Sequence, residues 1–70
     1  MTTLQNELKH YREKNKYSQE QIAQKINITQ QAYSNYEKGK RLPSIEILIK
    51  LADIYEISLD ILTGRYQTNR

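Results

Sequence analysis

The chain has no cysteine, no tryptophan and no phenylalanine. Its 70 residues include one proline, one methionine, one histidine and two glycines. Without cysteine there is no disulfide framework and no thiolate metal site, a composition that suits the cytoplasm. Two glycines cannot build a glycine-rich phosphate loop. The histidine, His10, stands between Lys9 and Tyr11 with no convergent ligands at metal-binding spacing, so it reads as a surface residue and no metal or cofactor is expected. No Ser-His-Asp set and no paired carboxylates can be argued, and the chain is not expected to be an enzyme. Long apolar runs are also missing. The most apolar stretch, Ile45 to Leu62, is interrupted by Glu46, Lys50, Asp53, Glu56 and Asp60 and is expected not to span a membrane. No basic start leads into an apolar run, so no signal peptide is expected.

What the chain does have is polar, mildly basic and periodic. The net charge is +3, unevenly spread. Residues 1–41 hold eight Lys and Arg against four acids, whereas residues 42–70 hold three against four. A surface facing a polyanion on one side would produce that asymmetry. A single domain of this size buries only about 60% of its unfolded surface, so its expected stability is modest.

Five helices are expected, with no segment of strand-like alternation. Thr3 caps the first, with Leu4, Leu8 and Tyr11 on its buried face. Ser18 caps the second, whose apolar residues are Ile22, Ala23 and Ile26. Asn27, tolerant of positive φ, reverses the chain, and Ile28 plugs the turn from the core side. Thr29 caps a third helix over Gln30 to Lys38, and Gly39 ends it. Lys40 to Pro43 form a basic loop. Ser44 caps a fourth helix with Ile45, Leu48, Leu51, Ala52 and Tyr55 inward and Ile47, Ile49 and Ile54 widening the stripe. Ser58 caps a short fifth helix ending at Gly64. Residues 1–64 form the domain, and the polar 65–70 are expected to fray. Of the six tyrosines, Tyr11, Tyr33, Tyr36 and Tyr55 fall on apolar stripes and read as core residues rather than a stacking surface for single strands.

Residues 18–39, SQEQIAQKINITQQAYSNYEKG, lay out two short helices around a tight turn. This segment resembles the Cro-type, lambda-repressor-like (XRE family) helix-turn-helix, and the likeness extends over residues 4–64. LKHYREKNKYSQEQIA resembles the family's first helix and the start of its second; NYEKGKRLPSIEILIKLA and ISLDILTG resemble the exit from the recognition helix, the fourth helix and the fifth. The resemblance implies a compact all-α, five-helix fold that places the third helix in the major groove of double-stranded DNA. Departures are Asn27 and Lys16, both where the family favours Gly. At the second of these, Asn15 can take the left-handed position instead.

The resemblance also implies site residues. Gln30, Gln31, Ser34 and Asn35 match positions that touch bases or phosphates, and glutamine can pair with adenine N6 and N7. Gln19 matches a position at the start of the second helix that approaches a phosphate. Lys38, Lys40 and Arg41 cluster at the helix exit as phosphate candidates, with Lys16 a weaker one on the same side. Arg12 and Glu37 match a structural pair that fixes the third helix to the first. Ile57, Leu59, Ile61 and Leu62 are more apolar than one short helix needs and are expected to serve a homodimer contact, with Tyr66 a possible addition. The expected function is a sequence-specific, DNA-binding transcriptional regulator, most simply a repressor, acting as a homodimer. The alternative on the same fold is an antitoxin-like module whose partner is a protein.

Overall fold

The computed structural model describes residues 3–64. They form α1 (Leu4–Lys14), α2 (Gln19–Lys25), α3 (Gln30–Lys38), α4 (Ile45–Tyr55) and α5 (Leu59–Leu62), with no strand among the described residues. Tyr66 and the 65–70 tail lie outside them.

Each helix starts on a hydroxyl. Thr3, Ser18, Thr29, Ser44 and Ser58 have extended backbones, and each side-chain oxygen accepts from the backbone N–H three residues on, at 3.0–3.2 Å. Such a cap contributes about 1 kcal/mol. Ser18 completes a capping box, since its own N–H donates to Gln21 Oε1 at 2.8 Å.

The helix ends share a second device. Lys16, Asn27, Gly39 and Glu56 all have left-handed backbones. Each donates to the carbonyl three residues back, and the next residue donates to the carbonyl five back, as Tyr17 does to Arg12 and Ile28 to Ala23. This is the Schellman motif. Lys16, and not Asn15, takes the left-handed position after α1. Asn15 stays at φ −93°, and its Nδ2 donates to the Tyr11 carbonyl at 2.8 Å.

The residue following the left-handed one is apolar in three of these four motifs. Tyr17, Ile28 and Ile57 all pack against the core. That core comprises Leu8, Ile22, Ala23, Ile26, Tyr33, Leu48, Leu51, Ala52, Tyr55 and Leu62. α1 packs on α3 and α5, α2 on α3, and α4 on α5. The third helix is therefore held from two sides, by α1 and by α2, and its remaining side is open.

Three expectations about burial are corrected, the first being Ile49, expected to widen the buried stripe of α4 and in fact 46% exposed. Ile45 is 58% exposed, though its angular position is shared with the buried face of α4. Ile47 and Leu48 in the same turn reach the core while Ile45 does not, so angle alone does not bury a residue. Leu62, expected at a dimer contact, is 0% exposed and belongs to the monomer core. The large hydrophobics left exposed among the described residues are Leu42, Ile45 and Ile49.

Candidate nucleic-acid interface

The turn between α2 and α3 takes four residues, beginning with the buried Ile26 that ends α2. Asn27 at φ 64° reverses the chain, Ile28 packs inward and Thr29 starts the next helix. Within α3, Tyr33 points into the core at 0% exposure, while Gln30 and Gln31 are exposed and Ser34 and Asn35 half-buried.

Glu37, at the last turn of α3, anchors the helix from beneath. Arg12 Nε donates to Glu37 Oε2 at 2.6 Å, and Arg12 Nη2 to Oε1 at 3.3 Å, a two-pronged pair. Tyr33 Oη donates to Oε2 at 2.7 Å and Gln19 Nε2 to Oε1 at 3.0 Å. Arg12 Nη1 also donates to the Tyr17 carbonyl at 2.9 Å. The side chains of Arg12 and Glu37 are only 12% and 7% exposed. Burial pushes the Glu37 carboxyl up, but the hydrogen bonds from Arg12, Tyr33 and Gln19 outweigh it and hold the group below its ordinary value. The bond to Glu37 raises Arg12 further against the opposing effect of burial. This one carboxylate thus joins α1, the start of α2 and both turns of α3. Gln19, expected to approach a phosphate, commits one amide hydrogen to that network.

Outside, the expected readers and cations gather partly as anticipated. Thr29, Gln31, Ala32, Asn35, Tyr36 and Arg41 line an open concavity of about 320 Å³. Gln31, Asn35 and Arg41 are thereby brought together; Gln30 and Ser34 do not line it. Sequence reasoning missed Thr29, Ala32 and Tyr36 as its wall, although the 32–36 spacing runs beside 31–35 and could have signalled it. Gln31 Nε2 donates to Asn35 Oδ1 at 3.3 Å. Lys16, Lys38, Lys40 and Arg41 are all exposed. Lys40 follows Gly39 at the position where the other three Schellman motifs carry an apolar anchor. Its N–H donates to the Asn35 carbonyl at 2.9 Å, which fixes the backbone at the helix exit while the side chain stays in solvent.

A family model described as helix-turn-helix matches residues 8–62, the span that holds this arrangement. The chain belongs to the Cro-type, lambda-repressor-like helix-turn-helix family. Among its relatives, the cryptic phage CTXphi transcriptional repressor RstR of Vibrio cholerae is 46% identical over 52 residues, covering 74% of this chain and 46% of that protein. The HTH-type transcriptional regulator ImmR of Bacillus subtilis is 37% identical over 68 residues, covering 97% of this chain and 54% of that protein. A crystal structure of a transcriptional regulator from Listeria innocua superposes with a TM-score of 0.86 at 28% identity, covering 97% of this chain and 64% of that one. The domain spans about half the length of RstR and ImmR. These relatives are named as transcriptional regulators or repressors, not as enzymes. No helix among the described residues is long and apolar enough to cross a membrane.

Proposed function

We propose that this helix-turn-helix domain is a sequence-specific reader of double-stranded DNA and acts as a transcriptional repressor. α3 enters the major groove, Gln30, Gln31, Ser34 and Asn35 face base edges, and Lys16, Gln19, Lys38, Lys40 and Arg41 meet phosphates. The supporting observation is the concavity on the open side of α3, where two amide side chains meet an arginine on a helix clamped from behind by Glu37. Amides supply the paired donor and acceptor that base edges require, and the cations supply affinity independent of sequence. The domain works as a homodimer on half-sites about 34–36 Å apart, with its contact at the outer side of Ile57, Leu59 and Ile61.

Paired salt titrations on a selected operator and a scrambled duplex test this reading. Gln31→Ala keeps the fold and loses discrimination by about 1–3 kcal/mol per half-site. Lys40→Ala weakens both duplexes alike and makes the log–log salt slope shallower by about one unit. Equal loss on both duplexes for Gln31→Ala removes that residue from the readout.

One observation favours a second reading. Leu42, Ile45 and Ile49 are 79%, 58% and 46% exposed, with Ile45 and Ile49 one turn apart on α4, and apolar residues left open in this way can serve a protein partner. They fit an antitoxin-like module. Absence of duplex binding by the wild-type protein at low salt would favour that reading over the first.

A further inference from the structure

Tyr36 reads as a core residue from the apolar stripe of α3. Its ring does pack against the core, edge-on to Tyr33 at 6.4 Å between centroids and 82° between planes. Its hydroxyl behaves differently from those of the other two core tyrosines on this side. The Tyr33 hydroxyl donates to Glu37, and the Tyr55 hydroxyl is buried. Among the described residues the Tyr36 hydroxyl is neither hydrogen-bonded nor buried. Tyr36 lines the concavity that Arg41 also lines. Backbone bonds hold the loop carrying that arginine against the last turn of α3. The Tyr36 carbonyl accepts from Gly39 at 3.2 Å, and the Asn35 carbonyl accepts from Lys40 and Arg41 at 2.9 and 3.4 Å.

The donor set suits an anion. The lining holds a guanidinium, a phenol and two amides, and no carboxylate. Position around the helix decides which anion. At about 100° per residue, Tyr36 lies about 100° from Asn35 and about 140° from Gln31. A helix with its side chains is about 10–12 Å across and fills a major groove about 12 Å wide. With Gln31 turned to the base edges, a side chain that far round meets the groove wall, which is sugar and phosphate. The Tyr36 ring is already packed, so binding through its hydroxyl costs little rotamer freedom.

We propose that the Tyr36 hydroxyl and the Arg41 guanidinium grip one phosphate of the DNA backbone on the flank of α3. The proposal rests on the DNA-reading function above and adds to it a contact at Tyr36 and a division of labour. The core-anchored phenol fixes where the phosphate sits, and Arg41 supplies the charge.

Salt titrations and a backbone scan on a duplex selected from a random library test it. Tyr36→Phe keeps the packed ring and melts in urea with wild type. It binds the selected duplex roughly 10-fold more weakly per half-site, because one bond to a charged group is lost. Its log–log salt slope equals that of wild type, because no charge is removed. Arg41→Gln also weakens binding, but makes the slope shallower by about one unit. A neutral methylphosphonate is then placed at each backbone position in turn. One position weakens wild type and costs both Tyr36→Phe and Arg41→Gln less, and it is the same position for the two variants. Three results would overturn the grip and leave the DNA-reading function standing. They are wild-type affinity in Tyr36→Phe, a loss of urea stability that matches its loss of binding, and different phosphates for the two variants. If wild type binds no duplex at low salt, both fall.

Discussion

Tyr33 and Tyr55 look alike in the sequence and differ in what their hydroxyls meet. Tyr33 is fully buried and its hydroxyl donates to the Glu37 carboxylate at 2.7 Å. Burial and that bond hold its phenol well above the ordinary tyrosine range. Tyr55 stacks on Tyr11 at 6.0 Å between ring centroids, but its hydroxyl is buried towards Tyr33 without reaching hydrogen-bond geometry. Burial pushes this second phenol up to about 12. The two hydroxyls therefore predict opposite outcomes. Tyr33→Phe removes a bond to a charged group and is expected to destabilise by about 1.5–3 kcal/mol. Tyr55→Phe removes a desolvated, unpaired polar group and is expected to be neutral or stabilising by up to about 1 kcal/mol. Urea melts of the two variants provide the comparison, and equal losses would show that the Tyr55 hydroxyl is bonded after all.

α3 is the element on which the proposed function depends, and its nine residues are too few to be stable alone. Tertiary anchoring holds it, and Glu37 is the point where three partners converge. Glu37→Ala strips the part-buried Arg12 guanidinium of its two-pronged partner and leaves it the Tyr17 carbonyl and a 3.9 Å contact with the exposed Glu13, and is expected to destabilise the fold by about 1–3 kcal/mol at neutral pH. The sign of its pH dependence follows from the depressed carboxyl. The folded state favours the charged form more than the unfolded state does, so the stabilisation is fully present above the ordinary glutamate value of about 4.3. It is lost as pH falls through the lower, folded value. The stability gap between wild type and Glu37→Ala should therefore narrow on acidification below the ordinary carboxylate range. A gap that stays constant in acid urea melts would assign the loss to packing rather than to the charge.

At the scale of the whole molecule, burial separates residues that support the monomer from those available to a second molecule. Leu62 fills the monomer core beside α1 and α4, and Leu62→Ala is expected to cost about 2–5 kcal/mol of stability without a specific effect on association. Ile61 is only half-buried, so Ile61→Lys is expected to leave the fold within about 1 kcal/mol of wild type and to shift the proposed dimer towards monomer in sedimentation. If Ile49→Lys dissociates the dimer while Ile61→Lys does not, the self-contact belongs to the exposed residues Leu42, Ile45 and Ile49. Of the eight cations in the basic half, Lys9, Lys14, Lys16, Lys25, Lys38, Lys40 and Arg41 are exposed, whereas Arg12 is spent on Glu37.

The sequence by itself determined the elements, because their boundaries are written in short-range chemistry. A hydroxyl three residues before a free N–H makes a cap wherever Thr3, Ser18, Thr29, Ser44 and Ser58 occur. Asn27, Gly39 and Gly64 take positive φ because their side chains, or lack of them, allow it, whereas Lys16 and Glu56 take it with no such local signal. The pairing of Arg12 with Glu37 was legible only through the family resemblance, since 25 residues separate them and no local rule joins them. Only the tertiary structure decided the rest. It left Ile45 uncovered and buried Leu62, it turned the Gln19 amide towards Glu37, and it brought Thr29, Ala32 and Tyr36 around the Gln31–Asn35 pair. Helical periodicity states which side of a helix a residue occupies, but exposure and partnership depend on what stands opposite, and that is set by the packing of other helices.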